Sequence, residues 1–269
     1  MKPMLMKSVY LHKKASLSLV VAVDWQFLRT NMTYKDINII YEDNHLLVVV
    51  KPQNIPSQED SSGDKDMLTL LKEYLVESKN KPGNAFLGLV HRLDRPTGGV
   101  MVFAKTSKAA ARLTESIQNG SFEKKYLAVV LGEIKQKQGR LDNYLMKYPK
   151  LNVVKVVPAA TSGAKHAVLD YKVLEVNNNN SLVNVNLYTG RSHQIRVQFE
   201  FAGYPLIGDV KYGGERSNKG CKLALWASEL RFPHPTTGEI LVFRVYPPVE
   251  DYPWNTFDIE RHLSVAIRN

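Results

Sequence analysis

The stretch that most constrains this 269-residue chain runs from Leu89 to Lys105. An apolar run leads into His91-Arg92-Leu93-Asp94, a turn follows, and a second apolar run occupies Val100 to Ala104. Pro96 fixes its own φ and steers Arg95 away from the helical region. Gly98 and Gly99 permit positive φ and the close approach of another chain segment. Asp94 is therefore expected on a rigid turn between two buried segments, flanked by Arg92 and Arg95. Positive charge on both sides favours its ionised form. An isolated Asp-Arg-Pro usually does no more than shape a turn. Here a carboxylate, two arginines and two glycines crowd between core segments, and that pattern points to a functional site.

The charge balance narrows the partner. Lys and Arg exceed Asp and Glu to give +10 at neutral pH, with a pI of about 9.5. Such a surplus suits an anionic partner, nucleic acid first. Cys221 is the single cysteine, so no disulfide can close within the chain and no cysteine-based zinc site can form. A reducing compartment, the cytoplasm, is the expected setting. No run approaches the ~20 apolar residues of a membrane span, and Leu17 to Val23 lacks the length and the cleavage site of a signal peptide. No Gly-rich nucleotide loop or Walker pattern is present, so no cofactor is expected. His193 has no second His or Cys at ligand spacing, so no metal is expected either. The chain is expected to act as a monomer.

Read in order, residues 1–35 form an extension that need not belong to the functional chain, which could begin at Met32. Residues 36–250 form one domain, and 251–269 a tail or short helix. Ile37 to Tyr41 and Leu46 to Val50 read as strands around a Glu42-Asp43-Asn44 turn. Residues 53–65 and 80–84 read as loops, and Asp66 to Ser78 as an amphipathic helix. Ser107 is placed to cap a helix over Lys108 to Asn119, closed by Gly120. Phe122 to Gly132 is a strand. The Lys- and Gln-rich segment 133–150 reads as an exposed basic loop with some strand. Asn152 to Val157, Ala167 to Val176 and Leu182 to Leu187 are strands, the last two joined at four asparagines, Asn177 to Asn180. Ser192 can cap a helix to Phe201 whose buried face carries Ile195, Phe199 and Ala202. Arg191 then sits where strand turns into helix, a good place to hold an anion. Leu223 to Leu230 is a short strand or helix, and Ile240 to Tyr246 a closing strand. Hairpin-joined strands with inserted helices give an α+β fold with a mixed, mostly antiparallel sheet and flanking helices.

Three motifs carry a resemblance. His91-Arg92-Leu93-Asp94-Arg95-Pro96-Thr97-Gly98-Gly99 resembles the signature of the RluA-type RNA pseudouridine synthases, which usually carry Ser at the position of Gly98. Lys124-Lys125-Tyr126-Leu127-Ala128-Val129-Val130-Leu131-Gly132 is similar to the family's second motif, whose Tyr lies at the active site. Thr189-Gly190-Arg191-Ser192-His193-Gln194-Ile195-Arg196 is similar to the third. The hairpin Tyr41 to Pro52 and the stretch Gly203 to Gly213 are also family-like. All occur in the family order and together span about residues 36–250.

The resemblance implies a pseudouridine synthase fold with a central RNA-binding cleft, and isomerisation of uridine to pseudouridine in ribosomal or transfer RNA without a cofactor. It implies that Asp94 is the catalytic carboxylate, that Arg191 pairs with it and orients it, and that Tyr126 stacks on the uracil and helps move its proton. Arg92, Arg95, Thr97, His193, Gln194 and Arg196 are then the expected RNA contacts. Whether Asp94 acts as nucleophile or as base is left open. The alternative is an inactive RNA- or ribosome-binding module in which the motifs serve only as turns. A nucleoside hydrolase would need a water-activating metal or carboxylate cluster, which the sequence does not offer.

Overall fold

The computed structural model describes residues 32–78, 85–216 and 220–265. The expectations for residues 1–31, for the 80–84 loop and for the last four residues lie outside that set. The chain divides into two compact units. One comprises the chain up to Phe122 together with Leu230–Val245, and the other comprises Glu123–Glu229 together with the chain from Tyr246.

In the first unit, β1 (Asn38–Glu42) pairs antiparallel with β2 (Leu46–Lys51). Asp43 accepts the backbone N–H groups of His45 and Leu46 at the tip of that hairpin. An α-helix, α1 (Met67–Ser78), follows. It begins one residue later than the sequence indicates, because Asp66 is its cap: one carboxylate oxygen accepts from Leu68 N and Thr69 N, the other from Thr69 Oγ1. β3 (Gly88–Leu89) and β4 (Gly98–Ala104) enclose the Asp94 turn. β4 pairs antiparallel with β2, from Leu46 opposite Ala104 to Lys51 opposite Gly99, and with β3 at Phe103 and Ala104. Every residue of β4 is buried, as are Leu46, Leu47, Val48 and Val49 of β2. Each such Val or Leu contributes about 1.5–3 kcal/mol through burial. α2 (Ser107–Gln118) follows, and its N-cap is Thr106, whose hydroxyl accepts from Ala109 N. The cap expected at Ser107 thus falls one residue earlier, where the backbone is still extended. Past the C-cap residue Asn119, Gly120 takes a φ of 80°.

The second unit is built on β5 (Glu123–Leu131), β6 (Gln138–Tyr148), β7 (Val153–Val157), β8 (Lys165–Asn177) and β9 (Asn180–Leu187). Its ladders are antiparallel: β5 with β9, β9 with β8, β8 with β6, and β6 with β7. The segment 133–150, expected as an exposed basic loop with some strand, is mostly strand. Eleven of its residues form β6, which buries only Leu145 and so carries no apolar alternation for a sequence reading to find. The four asparagines form the expected tip. Asn178 and Asn179 both adopt left-handed φ, 49° and 57°, the geometry of a two-residue hairpin turn that suits Asn.

α3 (Gln194–Phe201) enters from a cap at His193, not Ser192. His193 takes φ 53°, and no side chain caps the helix in the usual way. Gln194 through Phe199 are all buried, whereas Ala202, expected on the buried face, is exposed. The short helix is enclosed around its first turns, so a single apolar stripe does not describe it. β10 (Leu225–Pro233) settles the strand-or-helix question at Leu223–Leu230 in favour of a strand, and the boundary between the units falls within it. β11 (Ile240–Arg244) pairs with β10. α4 (Ile259–Val265) closes the described chain, fixed to β8 by His262 Nε2 and Glu175 Oε2 at 2.9 Å. The whole is an α+β architecture of mostly antiparallel strands with few helices.

Candidate active site

The Asp94 turn is held peptide by peptide within the first unit. Ser57 Oγ donates to Leu93 O at 2.7 Å and accepts from Leu93 N at 3.2 Å. Thr97 N–H closes the turn on Asp94 O at 2.9 Å. Arg95 O accepts from Asn54 N at 2.8 Å and from Lys51 Nζ at 3.1 Å. Pro96 O accepts from Gln53 Nε2 at 3.0 Å. His91 Nε2 accepts the N–H of Val102 at 3.1 Å, so a side chain extends the ladder that β3 begins on β4. The segment Lys51–Ser57 is therefore a cradle for the turn that carries Asp94.

Lys51 is the centre of that cradle. It is 0% exposed, and its ammonium donates to Pro52 O at 2.9 Å, Ile55 O at 2.6 Å and Arg95 O at 3.1 Å. Three acceptors match its three protons. Burial pushes its pKa from 10.5 down to about 7, while Asp94 raises it and Arg95 lowers it further. The sequence reading did not single out Lys51. The available signal was a charged residue that ends a wholly apolar strand immediately before a proline.

The neighbours of Asp94 differ in their commitments. Arg92 is exposed. Arg95, expected on RNA, is engaged by the preceding loop through Asp60, Ser62 and Asp64, which ties that loop to the turn. Thr97 is 1% exposed and belongs to the turn itself.

In the second unit, Tyr126 lies on β5 opposite Val185 and is 6% exposed. The third motif folds around Gln194. Its Oε1 accepts from Thr189 Oγ1 at 2.8 Å and from Arg191 N at 3.1 Å, and its Nε2 donates to Val168 O at 3.2 Å. Gln194, expected as an RNA contact, thus shapes the turn from inside. Arg191 is exposed, and its Nε donates to His166 O at 2.9 Å. His193 Nδ1 meets the Tyr212 hydroxyl at 2.6 Å, and that hydroxyl accepts Val154 N–H at 3.0 Å.

Arg196 is also reassigned. It is 4% exposed and makes a two-pronged contact with Asp209, Nε to Oδ2 and Nη2 to Oδ1, both at 2.8 Å. Asp209 Oδ1 further accepts from Lys211 N and Tyr212 N, and the guanidinium lies 5.0 Å from the Tyr212 ring centre. Arg196 holds the Gly203–Gly213 loop against α3. Breaking such a buried pair from one side costs about 3–5 kcal/mol.

The residues of the three motifs thus fall in both units: Arg92 to Thr97 in the first, and Tyr126, Arg191, His193, Gln194 and Arg196 in the second. Among the described residues no group of three or more His, Cys, Asp or Glu is arranged to hold a metal ion. No described helix is long and apolar enough to cross a membrane.

Residues 45–201 match the family model described as RNA pseudouridylate synthase. This chain belongs to that family. Ribosomal large subunit pseudouridine synthase D of Vibrio cholerae is 35% identical over 230 residues, covering 80% of this chain and 68% of the relative. An uncharacterized RNA pseudouridine synthase of Bacillus subtilis, YjbO, is 35% identical over 216 residues, covering 79% and 73%. Among solved structures, human RNA Pseudouridylate Synthase Domain Containing 1 superposes with a TM-score of 0.68 at 22% identity, over 88% of this chain and 96% of that one. This pseudouridine synthase is of the RluA type, an isomerase by class. The Gly98 departure from the family pattern sits inside β4, in a fully buried strand.

Proposed function

We propose that this protein converts uridine to pseudouridine in ribosomal RNA, with Asp94 as the catalytic carboxylate. The observation that carries the reading is the Lys51–Ser57 cradle, which holds the peptide groups of Leu93, Arg95 and Pro96 around Asp94 while leaving Asp94 partly exposed. A relative that covers most of this chain is named for the large ribosomal subunit, and that supports the choice of RNA. The reaction breaks the C1′–N1 bond of uridine, rotates the uracil, joins C1′ to C5, releases the C5 proton and protonates N1. Reactant and product are isomers, so atoms and electrons balance without a co-reactant.

The target base sits in a stack and has to be extruded before that bond can be reached. Arg92 is the exposed cation beside the turn and takes the vacated space or a neighbouring phosphate. Asp94 attacks the nucleotide or removes a proton to start elimination. Arg191, the arginine of the family-like third motif, serves the same step as Asp94. Tyr126 stacks on the uracil and assists proton movement at C5. The +10 charge supplies affinity through phosphate contacts that carry little sequence information. The cytoplasm and a monomeric state complete the reading.

Mapping pseudouridine in ribosomal and transfer RNA from cells with and without the protein tests it. Loss of one or a few sites in ribosomal RNA is expected. Loss confined to transfer RNA would move the substrate, and an unchanged map of both would contradict the reading.

A further inference from the structure

The registers of β5, β9, β8 and β6 bring polar side chains of the second unit into rows. Lys125 lies opposite Asn186, Asn186 opposite Asp170, and Asp170 opposite Arg140. Two residues along, Asn184 lies opposite Lys172, and Lys172 opposite Gln138. Partners across a ladder share a face, and neighbours along a strand take opposite faces. This is therefore the face of the sheet away from Tyr126. It forms an open groove of about 630 Å³ lined by these side chains.

The groove is not furnished as a plain solvated face. Asn is disfavoured in strands, yet Asn184 and Asn186 stand at successive positions of this face. Both are half-buried. Neither side chain, nor that of Gln138, makes a hydrogen bond among the described residues. Their donors and acceptors are open to the groove, where the edge of a base can use both. The charges leave a positive surplus. Lys125 is paired with Glu229 at 2.8 Å. Asp170 is taken up by Arg140 at 2.7 and 3.1 Å and by the Tyr188 hydroxyl at 2.8 Å. Lys172 is exposed and has no partner among the described residues. Next to the groove Tyr188 is 54% exposed, and the Arg140 guanidinium lies 5.4 Å from its ring centre. Bonded to Asp170 and braced by Arg140, that ring is a fixed platform on which a base can stack.

A stacking ring, free amides and an unpaired cation thus follow one another over about 13 Å from Tyr188 to Asn184. An open four-stranded antiparallel face bearing an aromatic suits unpaired RNA, whose bases offer both a flat surface and free edges. We propose that this groove is a second RNA-binding site that takes an unpaired stretch of the substrate RNA outside the reacting uridine. It rests on the reading of RNA as the substrate. Tyr188 stacks on a base, Asn184, Asn186 and Gln138 meet base edges, and Lys172 meets a phosphate. The competing account is a polar face that only meets water.

Labelled oligoadenylate is the probe, because it offers no uridine for reaction. Wild-type protein binds it, and prefers it to a duplex of the same length. Tyr188→Ala lowers that affinity roughly tenfold, whereas Tyr188→Phe, which keeps the ring, stays near wild type. Lys172→Gln makes the slope of log affinity against log salt concentration shallower by about 0.7, the share of one phosphate in single-stranded RNA. Its side chain has no partner to lose, so its melting temperature is that of wild type. Oligoadenylate carrying 8-azidoadenosine crosslinks to the peptide that contains Tyr188. An unchanged affinity in Tyr188→Ala together with an unchanged slope in Lys172→Gln overturns the proposal. So does an equal loss in Tyr188→Phe, or a wild type that binds the duplex as well as the single strand. Failure of wild type to bind oligoadenylate overturns this site alone, because pseudouridine formation in ribosomal RNA is read separately. Absence of that product with oligoadenylate binding intact overturns the broader reading instead.

Discussion

Replacing Arg191 with methionine is expected to lower turnover by about 10²- to 10⁴-fold, the usual weight of a group that tunes acid–base chemistry. The fold should survive. Arg191 is exposed, and its one described side-chain bond is to His166 O, worth about 1 kcal/mol. Its backbone N–H is held by Gln194 Oε1 whatever its side chain. Arg191→Lys keeps the charge but loses the planar fork, so only a small fraction of activity should return. Adding Asp94→Asn to Arg191→Met should cost little more, because residues serving one step are strongly non-additive. Initial rates of pseudouridine formation for the four proteins decide this. Multiplying losses would mean that the two residues serve separate steps.

Replacing Lys51 with methionine is expected to destabilise the protein by about 2–6 kcal/mol. Pro52 O and Ile55 O lose their Lys51 donor, whereas Arg95 O keeps the N–H of Asn54. Two acceptors left without that ammonium, not three, set the scale. The effect depends on pH in a definite direction. The folded pKa of Lys51 is about 7 against an ordinary 10.5. Between those values the unfolded chain holds a proton that the folded chain has released, so stability rises with pH across that window. Below about 7 both states are protonated and the Lys51 contribution is flat at its minimum. The difference in unfolding free energy between wild type and Lys51→Met should therefore grow from neutral pH towards 10.5. A constant or shrinking difference in denaturant titrations would show that Lys51 keeps its proton throughout.

Lys51 also marks where the sequence stops being readable. The strands β2, β4 and β5 are visible because their apolar runs are continuous, and α1 because its leucines recur at helical spacing. β6 is only partly legible, because a strand that buries one residue of eleven carries no apolar alternation. The motif residues are legible by their pattern, but not their states of burial. Arg196 and Thr97 look like contacts for RNA until the fold encloses them, one against Asp209 and the other within the turn. Lys51 reaches Arg95 O across 44 positions, and no local signal encodes that distance.

The most direct measurement is pseudouridine formed in ribosomal RNA by purified wild-type protein and by Asp94→Asn, with RNA affinity and melting temperature taken on the same samples. The substitution keeps the volume of the side chain and removes its charge. The account predicts product with wild type, at least about 10³-fold less with the variant, and affinity and melting temperature close to wild type. Wild-type rates from Asp94→Asn would contradict it.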